Sequence, residues 1–195
     1  YNVGLGYFTG ANITTGVENT LIGSLAGDAL TDADYNVAVG LAALGTDTLG
    51  SKSVAVGYSA LLRQNFTTAT DSFNIAIGYD AGSNVTTGTH NTLVGGAAGD
   101  ALTDADFNVA LGHNALSTDT LGSKSTAIGR SALATQNFAT ATDSFNTAVG
   151  FNAGVNVTTG QYNTLIGGIA GDALTSGTRN VVVGYNALTN DTLGS

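Results

Sequence analysis

Asp28, Asp32 and Asp34 recur 72 residues on as Asp100, Asp104 and Asp106. Carboxylates in such groups invite calcium, because hard cations collect several oxygen ligands. The spacing matches no calcium-binding loop, and a third copy of the segment carries Ser176 and Thr178 where the later acids stood. Aspartate also serves turns by hydrogen-bonding its own backbone, which accounts for these residues without an ion. The expectation is therefore no cofactor and no metal site, with calcium at these six aspartates as the single weak candidate. His90 and His113 form no set, because their counterparts 72 residues away are Glu18 and Tyr162, and Leu41 and Tyr185. A repeated ligand would recur. No Ser–His–Asp constellation can be assembled from neighbouring positions. Acid pairs suited to glycoside hydrolysis need one special environment, whereas these acids sit in near-copies of one pattern. No enzyme is expected.

The remaining polar chemistry is equally repetitive. The pairs Thr14-Thr15, Thr86-Thr87 and Thr158-Thr159 recur too sparsely to line an ice-binding face. Asn12, Asn65, Asn84, Asn156 and Asn190 open glycosylation sequons, though turn chemistry explains them as well. Lys52 and Lys124 are placed to pair with nearby carboxylates, an exposed contact of small worth. Aromatic residues fall in two places: Tyr7, Tyr58, Tyr79, Phe151 and Tyr185 in one, Tyr35, Phe73, Phe107 and Phe145 in the other. Rows of this kind stack on each other or seal a subunit contact more readily than they grip sugar.

Charge narrows the partners. Fourteen acids against five Lys plus Arg leave a formal charge of −9, which argues against neutralising phosphates and against a polybasic membrane patch. The sequence shows no apolar run of membrane-spanning length and no leader of charged-then-apolar type. With no cysteine there is neither a disulfide framework nor a thiol nucleophile.

What must position these residues is a repeat. Eleven near-copies of one stretch begin at Asn2, Asn19, Asn36, Ser53, Asn74, Asn91, Asn108, Ser125, Asn146, Asn163 and Asn180. Each has Gly at its fifth position: Gly6, Gly23, Gly40, Gly57, Gly78, Gly95, Gly112, Gly129, Gly150, Gly167 and Gly184. Val, Ile or Leu precedes that Gly every time, and Ala follows three residues later in all copies but one, where Thr9 stands. The steps are 17, 17, 17 and 21 residues, a 72-residue super-repeat. A period this short means stacked coils.

Within a copy, Val54-Ala55-Val56 and Ile75-Ala76-Ile77 are β-branched runs of strand length bounded by turn residues. Ala55, Ala76, Leu93 and Val182 make the alternate face apolar as well, which predicts burial on both faces. The repeated Gly fits a corner that needs φ > 0 or close backbone approach. The head residue, as in Asn36, Asn74, Asn108, Asn146 and Asn180, can bond its own turn or form an amide ladder between coils. A second, less regular strand is expected around Ile13, Leu30, Val85, Leu102, Val157 and Leu174. The reading is an all-β, parallel β-solenoid of eleven coils, a flat roll about 50 Å long at strand spacing. So thin a roll buries little within one chain, so a homotrimer around a central axis is expected. Residues 1–195 read as one repeat domain, cut from a longer fibre and lacking capping units.

The stretches Ser53 to Ala60, Asn74 to Ala81 and Ser125 to Ala132 resemble the head repeats of trimeric autotransporter adhesins, the YadA-like head. Phe145 to Gly154 followed by Val157-Thr158-Thr159-Gly160 is more similar still to shaft repeats of bacteriophage tail fibres. The resemblance implies a left-handed parallel β-roll with three chains side by side. It also implies an extracellular fibre segment of the virion that takes part in host attachment, with a host glycan or protein as the outside partner. The alternative it leaves open is the head of a bacterial surface adhesin that binds matrix protein or glycan. The coils here are longer than the compact adhesin-head spacing, and no part matches a chaperone-protease domain, a stalk or an anchor.

Overall fold

The computed structural model describes residues 1–194; Ser195, the last residue of the third-coil motif, lies outside the described residues. Eleven three-residue strands stack in parallel as one sheet. They are Val3–Leu5, Thr20–Ile22, Val37–Val39, Val54–Val56, Ile75–Ile77, Thr92–Val94, Val109–Leu111, Thr126–Ile128, Thr147–Val149, Thr164–Ile166 and Val181–Val183. Register is in phase throughout: Val37 pairs with Val54, and Val54 with Ile75. The chain is an all-β parallel solenoid of about eleven turns, as the repeat predicted.

The corner glycines explain why the strands stop. Their φ values run from 129° to 145°, a region that L side chains rarely adopt. A Cβ on Gly112 would also stand 2.6 Å from the carbonyl carbon of Gly129 in the next coil. Both demands expected of this position, positive φ and close approach, hold together.

The opposite wall corrects the expected second strand. Among the described residues, two-residue strands form only at Gly50–Ser51 with Thr70–Asp71, and at Gly122–Ser123 with Thr142–Asp143. Elsewhere this wall consists of stacked turns. Two left-handed residues in three, such as Ala42 (φ 55) and Leu44 (φ 53), cannot lie in a strand. The turns still bond coil to coil, as in Thr14 N donating to Thr31 O at 3.0 Å and Thr31 N to Thr48 O at 3.0 Å. Leu30, Val85, Leu102, Val157 and Leu174 from these turns are buried, with Ile13 partly so.

The core between the walls is filled by exchange of bulk. Leu21, Leu93 and Leu165 occupy the strand centre where the coils beside them carry Ala38, Ala76, Ala110 and Ala148, or Gly4 and Val182 towards the ends, and Gly27, Gly99 and Gly171 sit opposite them. Coils with Ala38 or Ala55 at the strand centre carry Leu44 or Leu61 instead. A Cβ on Gly82 would meet Leu93 Cδ1 at 2.7 Å and Leu61 Cδ2 at 3.1 Å, so leucines from both adjacent coils reach into its space. Leu61 is left-handed (φ 50), which costs about 1–2 kcal/mol. Burying its side chain contributes about 1.5–3 kcal/mol, so a leucine is tolerated there.

The head asparagines brace the roll rather than form a simple amide ladder. Asn36 Nδ2 donates across the coil to Gly50 O at 2.9 Å, while its Oδ1 accepts from Ser53 N, one coil on, at 2.8 Å. Asn74, Asn108, Asn146 and Asn163 repeat both bonds, and Asn180 N closes the run on Asn163 Oδ1 at 3.0 Å. Direct amide-to-amide contact is found only for Asn19 with Asn2, Asn91 with Asn74 and Asn180 with Asn163 among the described residues. Buried amides placed this way satisfy the coil interior without water.

Candidate functional site: an uncovered aliphatic face framed by stacked rings

Strand alternation puts the central residue of each strand inside and its two neighbours outside. Ala55, Ala76 and Leu93 are fully buried, while Ile77 (40 %), Leu111 (45 %) and Ile166 (41 %) remain exposed on the outer face. Only the inward face is covered within one chain. Because the strands pair in register, Val39, Val56, Ile77, Val94 and Leu111 form one unbroken aliphatic row along the rod. A parallel row of Val, Ile and Thr runs beside it through Val37, Val54, Ile75 and Thr92.

Two columns of larger side chains frame these rows. The residue before each head is left-handed, with φ between 50° and 62° from Glu18 to Arg179. Its N–H is fixed along the axis, as in His90 N donating to Ser72 O at 2.8 Å. The side chains are thereby set one above another. Phe73 tilts against His90 at a ring separation of 5.2 Å, His90 stacks on Phe107 at 4.8 Å, and Phe145 on Tyr162 at 5.5 Å. Lys52 and Lys124 lie over Phe73 and Phe145 at 5.1 and 5.2 Å, and each also pairs at 2.5 Å with an acid, Asp71 or Asp143. On the other margin Tyr58 stacks on Tyr79 at 5.1 Å, and Arg130 covers Phe151. Rings stacked along the axis turn their edges outward, a geometry suited to packing and poorly suited to laying a sugar ring on a free aromatic face.

The six aspartates singled out by spacing do not converge. Asp32 Oδ1 accepts from Thr15 Oγ1 at 2.5 Å, and Asp34 Oδ1 from Val17 N at 2.7 Å. Asp104 and Asp106 repeat this with Thr87 and Thr89. Each is a tie to the preceding coil. Asp28 and Asp100 lie apart from them, and burial pushes both carboxyls above the ordinary aspartate value. Among the described residues no three His, Cys, Asp or Glu side chains gather as metal ligands. His90 belongs to the ring stack and His113 to the opposite margin, exposed. The sequon asparagines Asn12, Asn84 and Asn156 use their amides on carbonyls of the next coil, at 2.7 to 2.8 Å.

One group escaped sequence reasoning. Asp47, Gln64, Ser53, Ser72 and Asn74 form a fully buried polar joint where the coil opening at Ser53 meets its neighbours. Gln64 Nε2 donates to Asp47 Oδ2 and Ser53 Oγ, and its Oε1 accepts from Asn74 Nδ2. Asp119, Gln136, Ser125, Ser144 and Asn146 repeat it. The available signal was a coincidence: both copies whose head is Ser carry a Gln eleven residues later.

Comparison with protein-family models, with curated proteins and with solved structures gives no match. The surface itself therefore supplies the functional argument. No helix among the described residues is long and apolar enough to cross a membrane.

Proposed function

We propose that this chain is a structural and adhesive fibre segment, the shaft of a bacteriophage tail fibre that takes part in host-cell attachment. Three copies pack their aliphatic faces around a common axis, and the turn wall looks outward toward host glycan or protein. The observation that carries the proposal is the row from Val39 to Leu111, aliphatic at every position, nowhere fully buried and clearly exposed at Ile77 and Leu111, although it lies on the eleven-stranded sheet. Eleven strands and the framing columns span roughly 50 by 20 Å, about 1,000 Å². A standard stable interface needs about 800 Å² per partner. The resemblance of Phe145 to Gly160 to phage shafts favours the virion over a bacterial adhesin head, and an extracellular location follows from it.

Sedimentation equilibrium of the 195-residue chain tests the assembly. A trimer is expected, and it should dissociate to folded monomers when Ile77 and Leu111 are both changed to Asp. A wild-type chain that stays a soluble, folded monomer at micromolar concentration overturns the proposal. Attachment is tested separately by binding of the labelled trimer to host cells.

A further inference from the structure

The two margins of the aliphatic face differ in bulk, and the difference is periodic. On the margin before the heads, the coils headed by Asn19, Asn91 and Asn163 carry Glu18, His90 and Tyr162, all exposed. On the margin after the corner glycines, the same three coils carry Ser24, Gly96 and Gly168, 72 residues apart. There the column of large side chains is broken. The backbone does not ask for these gaps, since Gly96 and Gly168 stand outside the left-handed region. A Cβ at either would first meet an exposed ring edge of the following coil, His113 Cδ2 or Tyr185 Cδ2, at 3.4 Å. Each gap is a notch in the frame, between Tyr79 and His113 in one case and Phe151 and Tyr185 in the other.

What reaches the notches follows from symmetry, and this step rests on the reading that copies pack their aliphatic faces together. In a closed assembly about an axis along the rod, the margin before the heads of one copy meets the margin after the corners of the next, coil against the same coil. Glu18 then meets the next copy's Ser24, acid against hydroxyl. His90 meets Gly96 and Tyr162 meets Gly168, ring against gap. Neighbouring coils match as ring on ring, Phe73 with Tyr79 and Phe145 with Phe151, and as cation on ring, Lys52 with Tyr58 and Arg179 with Tyr185. Lys124 meets Arg130, and Asp143 already neutralises that lysine at 2.5 Å. A fully overlapped antiparallel pair would instead join like margins, setting Lys52 against Lys124 and His90 against His90. We infer that copies join parallel and level, with the His90 ring of one seated in the Gly96 notch of the next and Tyr162 in the Gly168 notch. The aliphatic row repeats at every coil, about 4.8 Å, and would let copies slide by whole coils. The notches fix the level, because a slip of one coil drives His90 onto Tyr79 or His113.

Paired cysteines read the level directly, in a chain that has none of its own. His90→Cys with Gly96→Cys in the full chain should oxidise to covalent trimers on a non-reducing gel. Within one chain these positions lie on opposite sides of a strand, beyond disulfide reach. The pair Phe73→Cys with Gly96→Cys, one coil out of level, should bridge several-fold less. Gly96→Leu should weaken assembly at least tenfold in sedimentation, and adding His90→Ala should restore most of it, a rescue that a purely structural role would not show. Circular dichroism confirms that each variant keeps its β signal. Covalent dimers from His90→Cys alone, or equal bridging by the shifted pair, overturn the inference. An assembled chain whose His90–Gly96 pair does not bridge overturns this inference alone. A wild-type chain that sediments as a monomer overturns the assembly reading and this inference with it.

Discussion

Gln64 Nε2 donates to Asp47 Oδ2 at 2.6 Å, and both side chains are wholly buried. Among the described residues no Lys, Arg or His pairs with this carboxylate; it is held by this bond and by Gly50 N and Phe66 N, which donate to its other oxygen. The amide of Gln64 does for its coil what the head asparagine does elsewhere, because Ser53 is too short to cross the interior. Gln64→Leu should therefore destabilise the chain by about 2–3 kcal/mol, the cost of leaving a buried carboxylate and amide short of partners. Urea unfolding checks it. Gln136→Leu should cost the same, and the two should add because the joints share no partner.

Packing makes a sharper forecast. Leu61→Ala should cost about 3 kcal/mol, lost transfer energy plus the void beside Gly82. Gly82→Leu should be worse still, because the space beside it already holds Leu93 Cδ1. Thermal unfolding of the two variants under matched conditions ranks them.

The glycines are not equivalent. Gly112→Ala places a methyl against the Gly129 carbonyl at φ +141, and folding yield should collapse. Gly4 has no positive φ, and a Cβ there meets nothing nearer than Thr9 at 3.8 Å. Gly4→Ala restores the residue found at most other strand centres and should stabilise by about 0.5–1 kcal/mol. Soluble expression and denaturation midpoints separate the two.

Acidity should act through Asp100. Its carboxyl is raised in the folded chain by burial first and by Asp80 second, above the ordinary 3.8. The folded state then holds the proton more tightly than the unfolded state, so this residue's contribution to stability falls as pH rises from about that value through the raised one. Asp100→Asn should stabilise the chain at pH 7 and make little difference at pH 3. Denaturation midpoints across that range decide it.

Legibility followed the reach of each interaction. The strands from Val37–Val39 to Val181–Val183 were readable, because β-branched runs closed by Gly carry their own signal. The stacking of the coils into one long parallel sheet followed from the period. The second wall was misjudged because apolar residues such as Leu30 and Val85 look alike in a strand and in a buried turn. What separates them is the left-handed backbone at Leu25 and Asp80, and neither residue announces it.

The sequence by itself determined that this chain is a stack of equivalent coils, with a glycine at each corner and an aliphatic residue just before it. Those features depend on residues a few positions apart, whose geometry the backbone dictates locally. Only the tertiary structure decided which partner each polar group finds: Gln64 for Asp47, Thr15 for Asp32, Thr87 for Asp104. These encounters join residues from different coils. They exist because register sets one turn upon another, and register is a property of the stack.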